Sequence, residues 1–316
     1  MAIKKTAVVA LGGNAITIPG VEDTITNQFA NTRRSLDGIM ALVRDGYNLV
    51  ITHGNGPQVG NALLRNELAL GTAPDLPLGI LVADTEGGMG YMIEQSLQNR
   101  LRKEKIDRQV VTIITQMLVK ADDPAINNPT KYIGQFYSEA EANEFARTRG
   151  WQIKKDANRG WRRVVSSPTP YKAIPSDIIK KLVDDGIIVI AGGGGGIPVY
   201  IDDKGNYEGL DAVIDKDMAS AVLAREIGAS VLCILTSVDK VSLNFGEPDQ
   251  KDLEVCRLSE IKKYFDEGHF PPGSMGPKIK AAMIFLENGG RLVTISSLNQ
   301  AGEAVSGKAG TRIMPD

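Results

Sequence analysis

Cysteine and histidine are scarce in this chain, with two of each among 316 residues. Two cysteines cannot make a disulfide framework. Cys233, inside the apolar run Val231-Leu-Cys-Ile-Leu235, reads as a small buried hydrophobe, and Cys256 lies in a charged, surface-like segment. A reducing cytoplasm is the expected setting. His53 and His269 have no cysteine or acidic partner at ligand spacing, so neither a metal site nor a catalytic triad has support. The formal net charge is only −2, which argues against a nucleic-acid surface or an anionic membrane as partner. No apolar run reaches membrane-spanning length, and the N-terminal Met-Ala-Ile-Lys-Lys lacks a signal-peptide core. Two nucleotide fingerprints are missing as well: there is neither G-x-x-x-x-G-K-[ST] nor G-x-G-x-x-G.

Glycine, by contrast, is plentiful at 34 residues, and it gathers in loops rather than in a repeat. Three of these loops follow apolar, strand-like runs. Val8-Val-Ala-Leu11 leads into Gly12-Gly13-Asn14, residues 47–52 lead into His53-Gly54-Asn55-Gly56, and residues 187–191 lead into Gly192 to Gly196. Pro57 is suited to the first turn of a helix. A strand, a glycine loop and a helix N-terminus together present backbone N–H groups and a favourable dipole to an anion. One such loop is equally a tight turn of any αβ protein; three in one chain point to a phosphate-handling cleft.

The spacing predicts helices over 27–45, 57–69, from an N-cap at Asp84 through Leu97, over 176–185 with Ser176 as N-cap, and over 216–227, 258–267 and 276–286. Strands are expected at 109–114, 230–235 and 291–295, besides those before the glycine loops. The opening βαβααβ order implies a parallel sheet covered by helices. The rhythm breaks over about 120–172, which reads as an inserted segment. It contains a hairpin, 151–156 with 161–166, packed down by Trp151 and Trp161. A composition shift near Gly205 is the candidate domain boundary.

Anionic phosphates need positive charge. Lys216 sits in Asp215-Lys-Asp217 at a helix start, where carboxylates on both sides could fix its ammonium. Lys278 follows Gly273-Ser-Met-Gly-Pro277, and Lys131 ends Asn128-Pro-Thr-Lys131 in the insertion. Each alone also fits an ordinary surface lysine, above all Lys131, whose surroundings are generally basic. His53 is read as structural rather than as a base. Asn14 and Asn55 fit either a left-handed turn residue or an amide donor to developing negative charge.

Taken together, Ala10-Leu-Gly-Gly-Asn-Ala15, Thr52-His-Gly-Asn-Gly-Pro-Gln-Val-Gly60, Asn128-Pro-Thr-Lys131, the glycine block through Pro198, Asp215-Lys-Asp217 and Gly273-Ser-Met-Gly-Pro-Lys278 resemble the carbamate kinase branch of the amino-acid kinase family over nearly the full length. The resemblance implies a three-layer αβα sandwich with a mainly parallel open sheet, two lobes and a protruding lid subdomain at about 120–172. It implies a carbamate-binding, dimer-forming lobe over 1–205 and a nucleotide-binding lobe over 206–316. The implied reaction is ATP + carbamate ⇌ ADP + carbamoyl phosphate with Mg²⁺ carried mainly by the phosphates, run towards ATP in arginine breakdown. Catalytic roles then fall on Lys131, Lys216, Lys278 and Asp217. Substrate would lie on Gly12, Gly13, Asn14, Gly54, Asn55 and Gly56, and nucleotide on Gly193, Gly194, Gly195, Lys216, Thr236, Ser237 and Lys278. The alternatives are a related kinase acting on a larger carboxylate such as acetylglutamate, or a nucleotide sensor without turnover.

Overall fold

The computed structural model describes residues 5–12, 16–17, 22–156 and 160–316. Its centre is an eight-stranded sheet. Named by first residue, the strands run 255, 311, 292, 231, 6, 48, 188, 110 from edge to edge. The six from 292 to 110 are mutually parallel, whereas Thr311–Met314 runs antiparallel to Leu292–Ser297 and carries Val255–Arg257 parallel to itself.

Strand alternation builds the layers. In Thr6–Leu11, Val8 enters one core with Val50, Val189, Leu232 and Ile234. Ala7, Val9 and Leu11 enter the other, with Leu49, Ile51, Ile190 and Cys233. Both faces are fully apolar because both are covered, as a parallel sheet requires. Helices Ser176–Asp184, Lys216–Glu226, Leu258–Asp266 and Met275–Glu287 line the first face. Ile25–Arg44, Leu78–Glu104 and Ala301–Ser306 line the second. This is the expected αβα sandwich.

Several expectations need correction. Asp84 does not cap a helix: it lies inside Leu78–Glu104, which begins directly after Pro77. The cap is remote, since Asp211 Oδ1 accepts the Leu78 N–H at 2.9 Å. Ser176 is the first residue of its helix rather than the cap, a position held by Pro175. Cys256 is buried, because Val255–Arg257 pairs with the C-terminal strand Thr311–Met314, which the sequence reading did not foresee.

The insertion leaves from Gln116–Val119 and returns in Pro170–Ala173, two strands paired antiparallel. Between them the expected hairpin is present as Ile153–Lys155 with Trp161–Val165, although turn residues 157–159 lie outside the described set. A third strand, Lys131–Tyr137, and a helix, Glu139–Arg149, were not anticipated. The helix has a capping box between Ser138 and Glu141 and a left-handed Gly150 at its C-terminus, but buries only Ala142. Its apolar stripe is therefore too thin to register as a period.

Candidate active site

The strand Thr6–Leu11 has Asn48–His53 on one side and Val231–Thr236 on the other. The chain thus winds away from it in both directions, and the crevice at the C-terminal ends of these strands is where an open α/β sheet takes ligands. The glycine loops all empty into this crevice. The Gly54 N–H donates to Leu11 O at 3.1 Å. A Cβ on Gly12 would stand 2.8 Å from Leu235 O, so only glycine lets the first loop pass this close to the strand ending at Thr236. Gly13 and Asn14 lie outside the described residues. Thr236 ends its strand half-buried, and Ser237 beyond it is exposed.

The third loop is the most constrained. Gly192, Gly194, Gly195 and Gly196 all have positive φ, between 62° and 94°, a region costly to residues bearing a Cβ. It is also crowded. A Cβ on Gly194 would lie 2.2 Å from Asn55 Nδ2, and one on Gly195 would lie 2.4 Å from Ile214 O. Gly193–Gly195 therefore bridges the second loop to the segment that delivers Asp215. Asn55 itself is not left-handed, with φ −133°, and its Nδ2 donates to Thr85 Oγ1 at 3.0 Å. That removes the turn-residue reading. Gly56 opens the helix Gly56–Leu68 with open space where a Cβ would be.

The three lysines meet at the same edge. Lys216 is the first residue of the buried helix Lys216–Glu226, and its Nζ contacts Asp217 Oδ1. Lys278, from Met275–Glu287, reaches Asp217 Oδ2 at 3.1 Å. Lys131, from the insertion, reaches Asp215 Oδ2 at 2.6 Å. Asp215 thus serves the insertion's lysine rather than Lys216, while its other oxygen caps the helix by accepting the Asp217 and Met218 N–H groups. An aspartate directly before a helix is an N-cap signal, so this role was available from the sequence.

Burial pulls the Lys216 ammonium below the usual lysine range despite Asp217 beside it. Burial likewise opposes the charge on Lys278, but Asp217 outweighs it and holds that pKa up. Both aspartates are held down: burial works against their charge, and the lysines overcome it. Three ammonium groups against two carboxylates leave one positive charge facing a helix N-terminus. This is a place for an anion.

Two buried groups lie beneath the third loop. Burial lowers His53 to about 4, so its ring is neutral at ordinary pH and is no general base poised near 7. Glu86, 1% exposed, accepts the Gly193 N–H at 2.9 Å and the Thr115 N–H at 3.1 Å. It was missed because an isolated glutamate in a long helix carries no local signal. Among the described residues no three His, Cys, Asp or Glu side chains converge to hold a metal ion.

Comparison with known proteins places the chain in a family. Residues 5–297 match the model of the "Amino acid kinase family". A carbamate kinase from Pyrococcus horikoshii is 47% identical over 310 residues, covering 98% of each chain. The structure of carbamate kinase from Giardia lamblia bound to citric acid superposes with a TM-score of 0.94 at 41% identity, over the full length of both chains. The same enzyme bound to AMP-PNP gives 0.91 at 41% identity, again over both full chains. With its glycine loops, lysine–aspartate cluster and sheet order, this chain belongs to the amino acid kinase family.

Proposed function

We propose that the protein is a carbamate kinase that transfers a phosphoryl group reversibly between ATP and carbamate. What carries the reading is the meeting of Lys131, Lys216 and Lys278, from three separate elements, with Asp215 and Asp217 beside the glycine loops. Phosphoryl transfer between oxygens passes through a loose transition state that needs alignment and charge stabilisation more than covalent help. Carbamate is already an anion, so its attack on the γ-phosphorus requires no proton removal. A neutral His53 suits that chemistry.

In this mechanism Gly12, Gly13, Asn14, Gly54, Asn55 and Gly56 hold carbamate and the migrating phosphoryl group through backbone N–H groups. Lys216 stands between donor and acceptor and stabilises the equatorial oxygens. Lys131 approaches from the insertion, and Lys278 neutralises the nucleotide phosphates. Asp217 holds two of these ammonium groups apart from each other and aimed at one point. Gly193, Gly194 and Gly195 let the loop approach the phosphates, and Thr236 and Ser237 border the nucleoside. Mg²⁺ fits this site as a passenger on the phosphates, because both aspartates already serve lysines. Bound there, it supplies charge neutralisation.

The same reading divides the chain into a carbamate lobe, 1–205, with its lid over 120–172, and a nucleotide lobe, 206–316. It makes the protein a cytoplasmic homodimer generating ATP in arginine breakdown. Support for the dimer lies on the first lobe, where exposed Ile25, Leu76 and Tyr91 line a groove of about 570 Å³. No helix among the described residues is long and apolar enough to cross a membrane. The acceptor is tested by competition: ADP release from ATP is measured with carbamate, with acetylglutamate, and with both. Turnover with carbamate alone, unaffected by acetylglutamate, is expected; preference for acetylglutamate would overturn the assignment.

A further inference from the structure

The insertion is seated on the body of the protein at one carboxylate. Glu67 lies in the last turn of Gly56–Leu68 and accepts three bonds from three parts of the insertion. Arg149 Nη1 donates to Oε2 at 2.8 Å, while Trp151 Nε1 and Arg163 Nη1 donate to Oε1 at 2.7 and 2.6 Å. The two guanidinium groups also stack over the Trp151 ring, at 5.6 and 4.9 Å from its centre. The Glu67 side chain is 11% exposed, so these bonds are largely sheltered from water and salt.

This seat connects directly to the catalytic cluster. Arg163 is the register partner of Ile133 in the antiparallel pair that also matches Lys131 with Val165. Ile133 is buried against Val59 and Leu63 of the same helix that carries Glu67. The helix is therefore a strut. Its first turn follows Asn55 at the glycine loop, and its last turn, about 20 Å away by helix rise, grips the insertion. Through Arg163 and Ile133 that grip sets where Lys131 enters the site.

We propose that Glu67 is a positioning residue for phosphoryl transfer, acting through the seating of the insertion on the placement of Lys131. The proposal rests on the reading that Lys131 serves the transfer step. Glu67→Gln keeps the shape of the side chain but replaces a two-oxygen anion with an amide that can satisfy at most part of the three-donor set.

The test is a double-mutant cycle on the intact protein, measuring ATP formation from ADP and carbamoyl phosphate for Glu67→Gln, Lys131→Ala and the pair. Glu67→Gln should lower kcat about tenfold with little change in the KM for ADP, and should add nothing once Lys131 is alanine. Both tryptophans, Trp151 and Trp161, lie in the insertion, so emission in a Trp161→Phe background reports on the seat alone. The Trp151 band should shift red in Glu67→Gln while the urea midpoint of the fold stays near that of the parent. Independent, multiplying effects on kcat, or normal kcat with a shifted Trp151 band, would overturn the proposal. A Lys131→Ala variant with normal turnover would instead overturn the role of Lys131 on which it rests.

Discussion

Glu86→Gln should change how stability depends on pH. In the native state burial raises the Glu86 carboxyl from 4.5 to about 8, against two backbone N–H bonds that favour its charged form. Between those values the folded protein holds a proton that the unfolded chain releases, so stability is fully present below about 4.5 and is lost as pH rises through about 8. The shift of about 3.5 units corresponds to a loss on the order of 5 kcal/mol across the whole window. His53 acts in the opposite sense. Burial lowers its pKa from 6.5 to about 4, so its contribution is present above 6.5 and is lost as pH falls through about 4. From 4.5 to 6.5 the two slopes cancel, so that of this pair only Glu86 acts between 6.5 and 8. There Glu86 should cost the parent about 2 kcal/mol, from about 1.5 units at 1.36 kcal/mol each.

Glutamine cannot titrate, and its NH₂ would face one of the two N–H donors. The variant should therefore be weaker than the parent by about 1–3 kcal/mol below about pH 4.5, where the carboxyl is protonated in both states, and, being free of the decline that Glu86 imposes, should overtake the parent as pH rises towards 8. Urea unfolding of both proteins at half-unit steps from pH 5 to 8.5 measures this directly. The difference between them isolates Glu86, since every other titrating group is shared. A variant whose stability falls as steeply as the parent's between 6.5 and 8 would refute the assignment of a neutral carboxylic acid under the glycine loop.

Two further substitutions probe the same frame. A Cβ on Gly60 would stand 2.0 Å from Gly134 Cα, a backbone atom that cannot turn aside, so Gly60→Ala should lift the insertion. The expected readout is red-shifted tryptophan emission with turnover down about tenfold or more, as misplacement of a reacting group costs; unchanged emission and rate would contradict it. Asp217→Asn removes the charge that Lys216 and Lys278 share. The Lys216 pKa, already pulled down by burial, should drop further. The alkaline limb of the pH–rate profile should then move to lower pH, with kcat down about 10²-fold, and an unmoved limb would count against the role of Asp217.

The sheet and its glycine loops were legible because their causes are local. Apolar runs such as Val8 to Leu11 bury on both faces, and that run ends at Gly12, where Leu235 O leaves no room for a Cβ. The lysines could be named from their flanks, Asp217 from its place beside Lys216, and the three-layer fold from the βαβααβ order and the family resemblance. What stayed hidden depends on contacts distant in sequence. The start of Leu78–Glu104 is fixed by Asp211, more than a hundred residues away, so Asp84 offered a false cap. Burial of Cys256 follows from a strand at the far C-terminus. Glu67 and Glu86 look like ordinary helix-surface glutamates until the insertion and the glycine loop close over them. Lys131 was the weakest lysine on sequence grounds, because only the fold brings it to Asp215, 84 positions on.

The central claim is that Lys216 stabilises a phosphoryl group passing between ADP and carbamate. The most direct test is ATP formation from ADP and carbamoyl phosphate with Mg²⁺, coupled through hexokinase, in the parent and in Lys216→Ala. Robust turnover in the parent, reduced about 10²–10³-fold in the variant with the urea midpoint preserved or raised, is the predicted result. Near-normal turnover in Lys216→Ala, or ADP binding without any ATP formed by the parent, would contradict it.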